Sequence, residues 1–128
     1  RYHTDLNTNG RFTTDNGIEM VTRQLHHSRP AEEQYYPAVN SVVLSEEHTT
    51  EANSARTLAF LHTRPIGVSS MKPGEVEMSL HRSYQNDDGR GLAQGMRDLT
   101  RALTKQWILF GSSANVHEAR RRASIMLN

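Results

Sequence analysis

Glu75-Val76-Glu77-Met78-Ser79-Leu80-His81-Arg82 is the stretch that decides the fold class. Val76, Met78 and Leu80 alternate with Glu77, Ser79 and His81. Successive side chains of a strand point to opposite faces, so this pattern describes a half-buried strand. Moving toward the C-terminus, Tyr84 to Gly95 is dense in Asn, Asp, Gly and Arg and reads as a loop. Lys105 to Phe110 follows, with Trp107 and Leu109 on one face and Ile108 and Phe110 on the other. That suits a strand covered on both sides.

Moving toward the N-terminus, Pro65 to Gly74 is broken by Pro65, Gly67, Pro73 and Gly74 and reads as loop. Thr57 to Thr63 is a strand of apolar and β-prone residues. Ser45 to Ser54 has no periodicity and reads as a surface loop, and Val42-Val43-Leu44 forms the buried part of a strand over Val39 to Leu44. His26 to Gln34 is polar, contains Pro30 and reads as loop, and Ile18 to Gln24 reads as a strand. Near the start, Tyr2, Thr4 and Leu6 form one face of a short strand, and Phe12-Thr13-Thr14 is another. The Asn9-Gly10 turn between them predicts a hairpin, and Asp15-Asn16-Gly17 ends its second strand.

Short strands separated by turn clusters, with no helices between them, predict an all-β antiparallel sandwich. The end changes character. His117 to Leu127 has good helix formers and no Gly or Pro, preceded by Ser112, Ser113 and Asn115 as candidate N-caps. The expected organisation is a β-sandwich over 1–110 and a C-terminal helix or tail over 111–128.

A chain of 128 residues holds about one domain. Lys plus Arg total 15 and Asp plus Glu total 14, a near-balance that argues against whole-chain binding to nucleic acid or a membrane surface. No apolar run is long enough to span a bilayer. The start at Arg1, without Met or an apolar leader, leads us to expect no signal peptide and a processed or excised piece. Cysteine is absent, which excludes disulfides, thiolate zinc clusters and a cysteine nucleophile from these residues. No glycosylation sequon, P-loop, dinucleotide fingerprint or nucleophile-elbow serine occurs.

The densest polar constellation is Arg82 with Asn86-Asp87-Asp88-Gly89-Arg90-Gly91. Carboxylates accept and guanidiniums donate paired hydrogen bonds, which is what the hydroxyls of a sugar require. The plainer reading is that Asp87 or Asp88 caps its own turn while Arg90 pairs with a neighbour. The seven histidines show no zinc-ligand spacing and read as solvent-facing, although His62 and His81 could share a sheet face. Asp15, Asp87 and Asp88 would serve acid–base chemistry only if they converged, and nothing local forces that. Arg120-Arg121-Arg122 reads as a solvated helix face. Read from the residues alone, this is a binding or accessory β-domain and not a complete enzyme.

Five pieces, in order, carry a family resemblance. Leu6 to Met20 resembles the segment N-G-x-F-Y-T-D-x-N-G-x-E-M. Tyr35-Tyr36-Pro37 with Val39-Asn40-Ser41 resembles YYPVNS. His62-Thr63 and Gly67 to Gly74 resemble a run ending G-x-S-S-L-x-D-G. Glu75 to Arg82, leading into Asp87-Asp88-Gly89-Arg90-Gly91, resembles E-x-M-x-H-R-R-x-x-x-D-D-x-R-G, and Gly91 to Gly95 fits its ending. Together they resemble the C-terminal β-domain of the family 38 glycoside hydrolases, the α-mannosidases of the lysosomal and Golgi class II type. The resemblance covers Arg1 to Gly95; the tail from Gly111 has no assigned counterpart.

The resemblance implies a parent enzyme that hydrolyses α-linked mannose from glycans with retention, in a lysosomal or other secretory-pathway compartment. It implies that the zinc, its ligands and the nucleophilic Asp lie in an N-terminal catalytic region, the principal partner of this piece. No catalytic residue and no metal ligand is then expected here, and the piece is inactive alone. Arg90 matches a position that approaches the mannose, and Asp87 and Asp88 match carboxylates that shape its loop. The family carries Tyr where this chain has Thr13, and one more residue between Asp15 and Asn16, which weighs against a direct site role for Phe12 to Gly17. Ser83 stands where a second Arg is usual. Because the family's β-region is longer, open edges are expected, to be covered by a partner chain or by a homodimer. The alternative is a non-catalytic carbohydrate-binding module or protein-interaction domain.

Overall fold

The computed structural model describes residues 1–47, 54–87, 89–91, 93–97 and 99–127. His48 and the rest of 48–53, with Asp88, lie outside the described residues. The strands are β1 (Tyr2–His3), β2 (Arg11–Asp15), β3 (Met20–Gln24), β4 (Tyr36–Ala38), β5 (Ser41–Ser45), β6 (Arg56–His62), β7 (Ile66–Ser69), β8 (Glu75–Ser79) and β9 (Gln106–Ser112), followed by helix α1 (Ser113–Leu127). One sheet has the order β1-β8-β7-β4 and the other β3-β2-β5-β6-β9, with every pairing antiparallel. This is the all-β sandwich that the alternating pattern predicts, with one C-terminal helix.

Period-two alternation separates two apolar layers. Phe12, Val42, Leu44, Leu58 and Phe60 of the larger sheet meet Ala38, Ile66, Val68 and Val76 of the smaller one. On the other face of the larger sheet, Val43, Ala59 and Leu61 lie under α1, which inserts Val116 among them and packs with Trp107 and Leu109. β5 and β6 are therefore covered on both faces, which is why Val42-Val43-Leu44 and Leu58 to Leu61 read as continuous apolar runs. Each fully buried Val, Leu or Phe contributes roughly 1.5–3 kcal/mol by removal from water.

Several local expectations are corrected. Asn9 and Gly10 do form a tight turn, both with positive φ (48° and 72°), but it does not join a hairpin. β1 pairs with β8 in the smaller sheet, Tyr2 opposite Val76, while β2 pairs with β3. The hairpin is β2–β3, closed by Asn16, whose Oδ1 accepts the N–H groups of Ile18 and Glu19, both at 2.9 Å. Ile18, expected in the strand, is at that turn and 96% exposed. The strand expected over Val39 to Leu44 starts two residues later, as β5, and a separate strand, β4, precedes it over residues expected only to lead in. β4 belongs to the smaller sheet and β5 to the larger, and the chain changes sheet at Val39-Asn40.

Asp15 holds that corner. Its carbonyl accepts the N–H of Val39 (3.1 Å), its Oδ1 the N–H of Asn40 (2.9 Å) and its Oδ2 the hydroxyl of Ser41 (2.6 Å). Arg120 of α1 reaches the same Ser41 hydroxyl at 3.3 Å and is half-buried, so it is not part of a solvated face. β7 lies inside the stretch read as loop. Its Ile66 and Val68 fill the core across a one-residue gap at Gly67, a pattern too short to outweigh the flanking Pro and Gly residues. β9 is an edge strand, and only its helix-side face is covered. Ile108 and Phe110 are 54% and 66% exposed because the smaller sheet does not extend over them. α1 begins at Ser113, so Asn115 is helical and not a cap.

Candidate functional site

The loop between β8 and β9 is closed at its neck by backbone and hydroxyl bonds. Tyr84 N–H donates to the Met96 carbonyl at 3.1 Å, and the Ser83 hydroxyl donates to the same oxygen at 2.8 Å. Gly95 passes so close to the incoming strand of the loop that a Cβ there would sit 2.3 Å from the Gln85 carbonyl oxygen. No other residue fits without moving backbone.

Asp87 organises the tip. Its Oδ1 accepts the Gly89 N–H at 3.1 Å and its Oδ2 the Ala93 N–H at 2.7 Å. A short carboxylate that bonds backbone N–H groups ahead of it is the turn chemistry of aspartate. Gly89 and Ala93 take positive φ (72° and 52°) to wrap around it. Arg90, exposed, is carried between these two anchor points. It lines a cavity of about 630 Å³ together with Tyr84, Asn86, Asp87, Gly91, Gln94 and Met96. That wall offers guanidinium and amide groups around a thioether and a phenol ring, a mixture that grips a hydroxylated ring by its edges and its apolar face. Asp88 lies outside the described residues.

A second cavity of about 520 Å³ adjoins the first and shares Tyr84 and Met96 with it. Arg82 lines this neighbour, not the Arg90 cavity, with its guanidinium carbon 5.1 Å from the Tyr84 ring centre. Tyr35, Arg64 and His81 complete the wall. The Tyr35 hydroxyl donates to Glu77, and burial with that carboxylate pushes its pKa up to about 12, so the phenol stays neutral. Arg64 donates through Nη2 to the Leu80 carbonyl. Arg64 was not singled out from sequence. It sits just ahead of β7 and reaches the cavity through sheet pairing that leaves no local trace.

The other sequence candidates are elsewhere. Thr13 lies within β2, paired between β3 and β5 of the larger sheet. Asp15 is tied to the sheet corner and does not converge with Asp87. His62 is 4% exposed, not solvent-facing: its Nδ1 lies 2.8 Å from the Arg64 carbonyl, and burial lowers its pKa. Among the described residues no three His, Asp or Glu side chains are grouped as a metal ion requires. No helix among them is long and apolar enough to cross a membrane.

Alpha-mannosidase F of Dictyostelium discoideum is 36% identical over 97 residues, which cover 72% of this chain and 9% of that protein. The lysosomal alpha-mannosidase of Homo sapiens is 35% identical over 107 residues, 77% of this chain and 10% of that protein. Alpha-mannosidase E of Dictyostelium discoideum is 30% identical over 121 residues, 94% of this chain and 10% of that protein. The chain spans about a tenth of the length of the curated relatives it matches. The family model for the C-terminal domain of glycosyl hydrolases family 38 matches residues 1–90, from β1 to Arg90 in the loop just described. The chain therefore belongs to glycosyl hydrolases family 38, as part of the C-terminal domain.

Proposed function

We propose that this chain is the C-terminal β-domain of an enzyme that hydrolyses α-linked mannose from glycans with retention, and that it supports a catalytic region without turning over substrate alone. The observation that carries this reading is the Arg90 loop. The matched family segment ends on a guanidinium that the fold holds out at a cavity, between two backbone anchors on Asp87. A preorganised, exposed donor suits contact with sugar hydroxyls supplied by a neighbouring active site. The described residues do not fit a zinc ion. In this reading zinc, its ligands and the nucleophile belong to the N-terminal catalytic region, the partner of this domain. The lysosomal name of one relative supports a secretory-pathway compartment.

The test has two arms. The pure chain is incubated with an aryl α-mannoside, and no turnover above background is expected; measurable turnover would overturn the reading. In the full family 38 enzyme carrying this domain, Arg90→Ala is expected to lower kcat/KM by at least tenfold with the fold intact. An unchanged kcat/KM would remove Arg90 from the site. A second reading, a non-catalytic sugar-binding module, is favoured by the two tyrosines that line the adjoining cavity. Mannose calorimetry separates it, since saturable millimolar binding by the isolated chain supports the module.

A further inference from the structure

We propose that the cavity beside the Arg90 loop, walled by Tyr35, Arg64, His81, Arg82 and Tyr84, is a binding site for a phosphate oxyanion, free or carried on a sugar. Two guanidiniums and an imidazole line this space of about 520 Å³, and no carboxylate is among the described residues that line it. Elsewhere in the chain Arg1, Arg11, Arg56 and Arg122 each meet a carboxylate. Among the described residues neither Arg64 nor Arg82 does. Arg64 is held by the Leu80 carbonyl and Arg82 lies against the Tyr84 ring, contacts that orient a guanidinium while leaving its charge uncompensated. Among the described residues the carboxylates near this wall are engaged: Glu77 holds Tyr35 and Arg1, and Asp87 holds two backbone N–H groups.

A neutral sugar needs acceptors as well as donors, and this wall offers mainly donors. Planar guanidiniums with an imidazole match the several acceptor oxygens of a phosphate, which they bond in paired, charge-assisted fashion. The volume is that of a small-molecule site and exceeds what an oxyanion alone fills. Tyr35 and Tyr84 supply ring faces for an attached sugar, and the shared Tyr84 and Met96 make the site continuous with the Arg90 cavity. The inference rests on this wall and not on the mannosidase reading.

The test titrates the isotope-labelled chain with inorganic phosphate, mannose 1-phosphate and mannose, following backbone amide shifts. Saturable shifts around Arg64, His81 and Arg82 with either phosphate are expected, weakened at least tenfold by Arg82→Gln and unchanged by Arg121→Gln. Mannose 1-phosphate binding at least tenfold tighter than inorganic phosphate identifies a sugar-borne group; equal affinities identify the oxyanion itself. No shifts to 10-millimolar order, or mannose binding as well as its phosphate, overturns the proposal. Arg64→Gln is a second variant, and where loss of its Leu80 contact unfolds the loop, Arg82→Gln alone decides. Binding is read without turnover, so its failure and that of the mannosidase reading are separate results.

Discussion

Asp15 is the residue on which most local structure converges. It ends β2, receives the crossing between sheets at Asn40 and Ser41, and through Ser41 meets Arg120 of the helix. Asp15→Ala leaves the Asn40 N–H and the Ser41 hydroxyl without their acceptor and removes the negative charge that favours the Arg120 guanidinium. Leaving a buried donor unsatisfied costs about 1–3 kcal/mol, so the loss of two such bonds is expected to lower stability in urea unfolding by about 2–5 kcal/mol. A loss below about 1 kcal/mol, the scale of an ordinary surface change, would show that the corner does not depend on this carboxylate. His62 gives a pH prediction. Burial lowers its folded-state pKa below the ordinary 6.5, because the charged imidazole loses its water. Below the unfolded pKa the unfolded chain binds the proton that the folded chain refuses. Stability from His62 is thus complete above about pH 6.5 and is lost as pH falls below that value toward the folded-state pKa. Tm is expected to drop from pH 7 to 5.5, and less steeply in His62→Gln. His117, also lowered by burial and by Arg120 and Arg121, leaves part of the slope in that variant. Equal slopes would show that His62 does not drive the effect.

At the scale of elements, β9 separates what alternation reveals from what it hides. Trp107 and Leu109 pack under α1, while Ile108 and Phe110, on the opposite face of the same strand, are mostly exposed. Trp107→Ala is expected to destabilise by about 2–4 kcal/mol, and Phe110→Thr to stay within about 1 kcal/mol of the parent in equilibrium unfolding. Similar losses for the two would mean that the outer face of β9 is covered in solution. The helix is the next element. Val116 fits between Val43, Ala59 and Leu61, so removal of residues 113–128 uncovers the second apolar layer. The shortened chain is expected to bind a hydrophobic dye and lose its cooperative melt. A native-like melt would show that α1 is an appendage. The strands with strong alternation or long apolar runs, β5, β6 and β8, were legible along the chain. β7 was not, because its two core residues are flanked by turn formers. β1 reads as a strand, but its partner does not show locally, because Tyr2 pairs with Val76, 74 positions away.

For the whole molecule, class and family were available in order of residues: alternating strands, turn clusters, and five family segments culminating in Arg90. The loop chemistry of Asp87 was also legible, since a carboxylate reaches the N–H groups just ahead of it whatever the rest of the chain does. Tertiary structure alone decided which strands share a sheet, that His62 and Arg120 are turned inward, and that Arg64, before β7, faces the same cavity as Arg82, after β8. The physical reason is range. Backbone propensity and side-chain period act over a few residues and are written in local sequence. Burial, desolvation and the meeting of two guanidiniums depend on contacts between distant segments, and those exist only once the two sheets have packed.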